Sequence, residues 1–221
     1  ADYLAKNLAD QGILAGKVVV APDMDNMIGK LTSGEVSLYL ESPYGALAAY
    51  EKGAIPVARR WKSGVGEYHT LIVVRKDSGI TSVQGLVGKM IAFEDIRSTS
   101  GYLFPKAYLV GQGLVLNEKS EVTSPVGADE VGYFFTGDVE NSFPMLVQGR
   151  VSVAAFQSDT YETFSQQDRD QLAVIAETPS VPRHIVMASP KLADGLLKRI
   201  TEILIGMDQT EEGKTVLYRT C

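Results

Sequence analysis

Short apolar strand patterns alternate with helical patterns from one end of the chain to the other. This alternation restricts the fold more than any other feature. "EVSLYLES" reads as a strand and runs into the helical "PYGALAAYEKG", with Pro43 near the first turn, where proline is tolerated. "KMIAFED" precedes a helix from about Thr99 to Gly111, "VSVAAFQ" precedes "SDTYETFS", and "HIVMAS" precedes "PKLADGLLKRITEILIGM". The same reading puts strands at "KVVVAP", "AIPVARRW", "YHTLIVVRK", "SEVTSPV" and "LAVIAET". It puts helices over 2–11, over "DMDNMIGKLTSG" up to Gly34, and over about 140–149, with a turn at "SGVGE". Strands alternating with helices imply an α/β fold with largely parallel sheets.

The strand–helix sets change near residue 76 and again near residue 177. The expected organisation is a discontinuous lobe 1, residues 1–75 plus 177–221, with lobe 2, residues 76–176, inserted. Two such lobes leave a cleft, and clefts between domains take small ligands.

Composition narrows the functions. The 221 residues, 45% hydrophobic and 22% charged, suffice for one large domain or two small ones. The net charge is -6, with no basic run and no aromatic–basic interleaving, so a nucleic-acid partner is not expected. No apolar run approaches the roughly 20 residues of a membrane span. The opening "ADYLAKNLADQG" is amphipathic and does not read as a signal peptide. Cys221 is the sole cysteine, which excludes an internal disulfide and a cysteine-based metal site. His69 and His184 show no HExxH-like spacing, so neither a metal nor a cofactor is expected.

The stretch "FEDIRSTSGYLFPK", Phe93 to Lys106, sets Ser98, Thr99, Ser100 and Gly101 between an apolar strand and a helix. One hydroxyl there is an ordinary N-cap. Three offer more donors than a cap needs, at a helix end that already presents free N–H groups and a positive dipole. The combination suits an oxyanion. A plain cap followed by a packing glycine is the competing reading.

Four segments follow one another in order: "GEVSLYLESPYGALAAYEKGAIPVARR", "YHTLIVVRKDSGI", "GKMIAFEDIRSTSGYLFPKAYL" and "QGRVSVAAFQSDTYETF". Together they resemble the phosphate/phosphite/phosphonate-binding proteins of bacterial ABC importers, which are type 2 periplasmic binding proteins. The resemblance covers nearly the whole chain, and "STSGY" after the strand is its most specific part. It implies two α/β lobes joined by two hinge crossings around a ligand cleft, and no catalysis. It also implies that Ser98, Thr99 and Ser100 hold the phosphoryl oxygens. Tyr44 and Ser42, in "ESPY", and Tyr68 are implied ligand contacts, and Asp159 and Glu140 are implied partners of a ligand ammonium. Each has a plain alternative: core packing for the tyrosines, an N-cap for Asp159, a solvated surface for Glu140.

Members of that family begin with a strand and loop of the type "RVGLxP", whereas this chain opens at "ADYLAKNL". The first strand of lobe 1 is therefore expected to be missing. "FFTGDVENSFP" departs from the usual His-bearing version of its loop, which bears on ligand identity. Outside the implied site, His69 neighbours Tyr68 on a strand and points to the opposite face. Arg59, Arg60 and Arg97 are possible anion partners, and Trp61 a possible partner surface.

The leading expectation is a solute-binding component of an ABC importer: exported, periplasmic or tethered at the cell surface, monomeric, and delivering a phosphonate, phosphite or phosphate to a permease. A ligand-sensing domain of a signalling protein on the same fold is the alternative. An enzyme on this fold is the third reading, against which stands the lack of a nucleophile–base–orienter set.

Overall fold

The computed structural model describes residues 1–62 and 64–220, and for Arg219 and Thr220 the backbone alone. Ser63, in the expected "SGVGE" turn, and Cys221 lie outside the described residues. In chain order, the first elements are α1 (Asp2–Asn7), α2 (Met24–Ser33), β1 (Leu38–Glu41), α3 (Pro43–Glu51) and β2 (Ile55–Arg60). Next come β3 (Glu67–Tyr68), β4 (Thr70–Arg75), β5 (Met90–Phe93), α4 (Phe104–Gly111), β6 (Leu116–Glu118) and β7 (Val131–Phe135). Then follow α5 (Val139–Val147), β8 (Val153–Gln157), α6 (Ser158–Glu162), α7 (Gln166–Arg169) and β9 (Leu172–Glu177). The chain closes with β10 (Val181–Pro182), β11 (His184–Ala188), α8 (Asp194–Ile205) and α9 (Glu211–Thr220). It divides into two compact units, residues 1–67 with 182–221 and residues 68–181. The sequence placed the crossings at 75/76 and 176/177.

Unit 1 is built on a three-stranded sheet in the order β1-β11-β2, both pairs antiparallel. Strand alternation sorts its side chains to two faces. Met187, with Tyr39 and Ile185, packs on Ile28 and Leu31 of α2 and on Ala46 and Ala49 of α3. Leu38 packs with Leu8, Ile200 and Ile203, on the side of α1 and α8. Local chemistry sets the helix ends. Asp23 caps α2 by accepting the Asn26 N–H at 2.7 Å, and Gly34 ends it with φ +89°, a conformation that costs glycine little.

Unit 2 carries a six-stranded mixed sheet in the order β6-β7-β5-β8-β4-β9. The pairs β6/β7, β5/β7 and β5/β8 are parallel, and β4 is antiparallel to both β8 and β9. Both faces are covered, so "TLIVVR" is a continuous apolar run and not an alternating one. Ile72, Val74, Ile91, Phe93 and Leu109 fill one face. Leu71, Val73, Ala92, Leu146 and Phe156 fill the other.

Three sequence expectations need correction. "KVVVAP", residues 17–22, forms no strand, and Val18 and Val20 stand exposed. A strand needs a ladder partner, and among the described residues none pairs with this segment. "SEVTSPV", residues 120–126, is irregular: Ser124 folds it into a turn by donating its N–H to Glu121 O at 3.1 Å, and the strands are the flanking β6 and β7. The sheets are less parallel than expected, since unit 1 is wholly antiparallel and β4 reverses direction in unit 2.

Candidate functional site

The loop after β5 is built by its own hydrogen bonds. Asp95 O accepts the Ser98 N–H at 2.9 Å, and Asp95 Oδ1 accepts the Arg97 N–H at 2.9 Å. Ser98 Oγ then accepts the Gly101 N–H at 2.9 Å, capping a π-helical turn over Thr99–Leu103 that continues into α4. Pro105 explains part of this shape. It has no N–H to return to the Gly101 carbonyl, and that carbonyl instead accepts the Glu94 N–H at 3.1 Å. π-helical turns often mark functional positions. The Gly101 amide is taken by Ser98 Oγ, and the amides of Thr99 and Ser100, which precede any helical acceptor, belong to the open end of the turn.

Beneath the loop lies a polar network. Ser100 and Thr99 are buried. Ser100 Oγ donates to Gln157 Oε1 at 3.3 Å, and Gln157 Nε2 in turn donates to Asp159 Oδ1. The Ser100 carbonyl accepts from Thr70 Oγ1 at 2.8 Å, and Thr178 Oγ1 accepts the Thr70 N–H at 2.9 Å. Glu94 Oε2 accepts the Ser98 hydroxyl at 2.8 Å. On the neighbouring turn, Gly137 donates its N–H to Glu94 O at 2.8 Å, which sets the start of α5 beside the loop.

In unit 2, then, Ser98, Thr99, Ser100 and Asp159 come together. Glu140 sits in the first turn of α5, exposed, with its N–H on Asp138 Oδ1 at 3.1 Å. A hydrogen bond with Asp138, and then the Asp138 charge, push the Glu140 carboxyl above the usual carboxylate range; the Glu94 charge adds to this. Tyr68 is buried at the start of unit 2. In unit 1, Ser42 occupies the N-cap of α3 and Tyr44 its first turn, both half-buried. Ser42 donates its N–H to Glu41 Oε1 at 2.6 Å.

The remaining candidates have local partners. Arg97 Nε lies 3.3 Å from Asp95 Oδ1, and Arg59 Nη1 lies 2.8 Å from Glu67 Oε1. His69 Nε2 lies 3.5 Å from Glu177 Oε2, at an open groove of about 430 Å³ also lined by Asp159 and Tyr161. Arg60 Nη1 donates to His184 Nδ1 at 2.7 Å. Burial first, then the charges of Arg183, Arg60 and Lys62, push His184 down to about 4. Sequence reasoning missed Glu94, Gln157, Thr70 and Thr178. "FED" held a signal for Glu94, an acid at the strand end four residues before Ser98. Thr70 and Thr178 sit in an apolar strand and a loop, and only the fold brings them under Ser100.

The profile of the family described as "ABC transporter, phosphonate, periplasmic substrate-binding protein" matches residues 1–220. That family comprises substrate-binding transport proteins and not enzymes. Among curated proteins, the chain is 27% identical over 176 residues to the phosphate-import protein PhnD of Mycolicibacterium smegmatis. The match takes in 77% of this chain and 53% of the relative, so the chain spans about half of that protein's length. Among solved structures, XAC2383 from Xanthomonas citri bound to ATP matches with a TM-score of 0.90 at 24% identity, over 99% of this chain and 81% of that one. PhnD1 from Prochlorococcus marinus, in complex with methylphosphonate, matches with a TM-score of 0.66 at 16% identity, over 99% and 83%. At these identities the likeness concerns the fold, which is that of type 2 periplasmic binding proteins.

Proposed function

Because the chain belongs to the family of phosphonate-binding periplasmic substrate-binding proteins of ABC transporters, we propose that it captures a small phosphoryl oxyanion and delivers it to a membrane permease. The anion is a phosphonate, phosphite or phosphate. The observation that carries this reading is the capped π-helical turn after β5, with its first-turn amides and hydroxyls fixed from below by Glu94, Gln157 and Thr70. A tetrahedral oxyanion needs several donors at once, and neutral donors suffice. Ser98, Thr99 and Ser100 are the proposed phosphoryl contacts, and Ser42, Tyr44 and Tyr68 are proposed to touch the ligand as well. Asp159 and Glu140 are proposed to meet an ammonium group where the ligand carries one, since a primary ammonium has three donors and no acceptor.

Delivery to a permease implies export, to the periplasm or tethered at the cell surface, and action as a monomer. No helix among the described residues is long and apolar enough to cross a membrane. A second reading, a larger ligand ending in a phosphoryl group, draws on the Xanthomonas citri neighbour solved with ATP.

Calorimetric titration with 2-aminoethylphosphonate, methylphosphonate, phosphite, phosphate and ATP tests both readings. The expected result is tight binding of one small phosphoryl anion, lost in a Ser98→Ala/Thr99→Ala double variant. Tight binding of ATP alone supports the larger ligand. A folded protein that binds none of the five overturns the proposal.

A further inference from the structure

The hydrogen-bond count at Ser98 has a chemical consequence. A serine hydroxyl offers one donor and two acceptor lone pairs, and an ionised carboxylate only accepts. The Ser98 proton is committed to Glu94 Oε2 at 2.8 Å. One lone pair is committed to the Gly101 N–H at 2.9 Å. What Ser98 has left is a single lone pair, on a side chain that is only half-buried. The backbone that carries Glu94 is itself held in place: its N–H donates to Gly101 O at 3.1 Å and its carbonyl accepts the Gly137 N–H at 2.8 Å.

We propose that Glu94 is a specificity-determining positioning residue: by holding the Ser98 proton, it turns Ser98 from a donor into an acceptor, so that the loop selects a phosphoryl anion that still carries one proton. This deepens the reading that the loop holds a phosphoryl group, and rests on it. The Thr99 and Ser100 amides donate to the bare oxygens. The P–O–H of a monoanion donates to Ser98 Oγ. A fully ionised dianion has no proton to give and places a lone pair against that of Ser98, with the Glu94 charge behind it. A buried polar group left without its partner costs enough to shift affinity about tenfold.

The test is the affinity for methylphosphonate by calorimetry between about pH 5 and about pH 9, a span that brackets the second ionisation of a phosphoryl group. In the unaltered chain, affinity follows the monoanion and falls about tenfold per pH unit once the second proton leaves. In Glu94→Leu, which leaves no acceptor for the Ser98 proton at this position, the hydroxyl is free to turn and donate to a dianion, and this fall flattens. A second measurement needs no variant. Methanesulfonate, a monoanion with no proton to donate, binds the unaltered chain about tenfold or more weaker than methylphosphonate at the acid end. An affinity that holds or rises as the dianion forms, an unchanged slope in a folded Glu94→Leu, or equal binding of the sulfonate overturns the inference. Absence of methylphosphonate binding at every pH overturns the phosphoryl reading itself and this inference with it.

Discussion

A β-carbon built on Gly101 would stand 2.3 Å from Glu94 Oε2 and 2.5 Å from Glu94 Cβ. The loop therefore closes over its carboxylate only because residue 101 has no side chain. The carboxylate end can swing away, but the Glu94 Cβ is fixed to the backbone that ends β5. Gly101→Ala is expected to destabilise the protein by about 1–3 kcal/mol, the usual cost of forced overpacking, and to weaken oxyanion binding as the loop opens. Thermal melts and titration of the same sample check both halves, and an alanine variant with unaltered melting and affinity contradicts this geometry.

The loop rests on an aromatic support. Phe93, fully buried at the end of β5, lies 5.4 Å centroid to centroid from both Tyr102 and Tyr133. Tyr102 belongs to the π-helical turn itself. Phe93→Ala is expected to cost about 3–5 kcal/mol, from lost burial and the cavity left behind. Denaturant titration measures it. A loss under about 1 kcal/mol, smaller than most single core truncations, would mean that the site collapses without harm.

Much of this architecture was legible in the sequence, for identifiable reasons. "TLIVVR", "MIAF" and "VAAFQ" are strands whose apolar character is unbroken because both sheet faces are covered, and they were read as strands. "STSG" announced a capped helix start at the place where the chain has one. What failed were segments whose state depends on a neighbour. Val18 to Val20 have strand propensity and no ladder partner among the described residues. Val122 and Val126 look like one face of a strand, yet each only anchors an irregular loop to the core of unit 2. The polar support of Ser100 was invisible because Thr70, Gln157 and Thr178 are far apart in sequence and ordinary in type.

Thr70 is fully buried, and its hydroxyl donates to the Ser100 carbonyl at 2.8 Å. Thr70→Val keeps the shape and removes the donor. The stranded carbonyl is expected to cost about 1–3 kcal/mol. Weaker oxyanion binding accompanies this, because Ser100 is no longer fixed. Urea unfolding and calorimetry on the variant check the two effects, and a neutral result on both would remove Thr70 from the support of the loop.

His184 gives a pH dependence with a definite sign. Burial, with Arg183, Arg60 and Lys62 nearby, holds its folded pKa at about 4, against 6.5 as the ordinary value. The folded state thus prefers the neutral ring, whose Nδ1 accepts from Arg60 at 2.7 Å. The stabilisation is complete above the unfolded value and is lost as pH falls through the window from 6.5 to about 4. The melting temperature is expected to drop across that window, and His184→Gln to flatten part of the drop. A variant that melts with the same pH slope as the unaltered chain would show that His184 does not contribute.

The central claim is that the loop of Ser98, Thr99 and Ser100 holds the phosphoryl group. Backbone amide resonances followed by NMR during titration with methylphosphonate test it most directly. Saturable shifts are expected, largest at Thr99 and Ser100, whose first-turn N–H groups are proposed to meet the anion, the Gly101 N–H being held by Ser98 Oγ. Saturable binding with these two amides unmoved and the largest shifts elsewhere would contradict it.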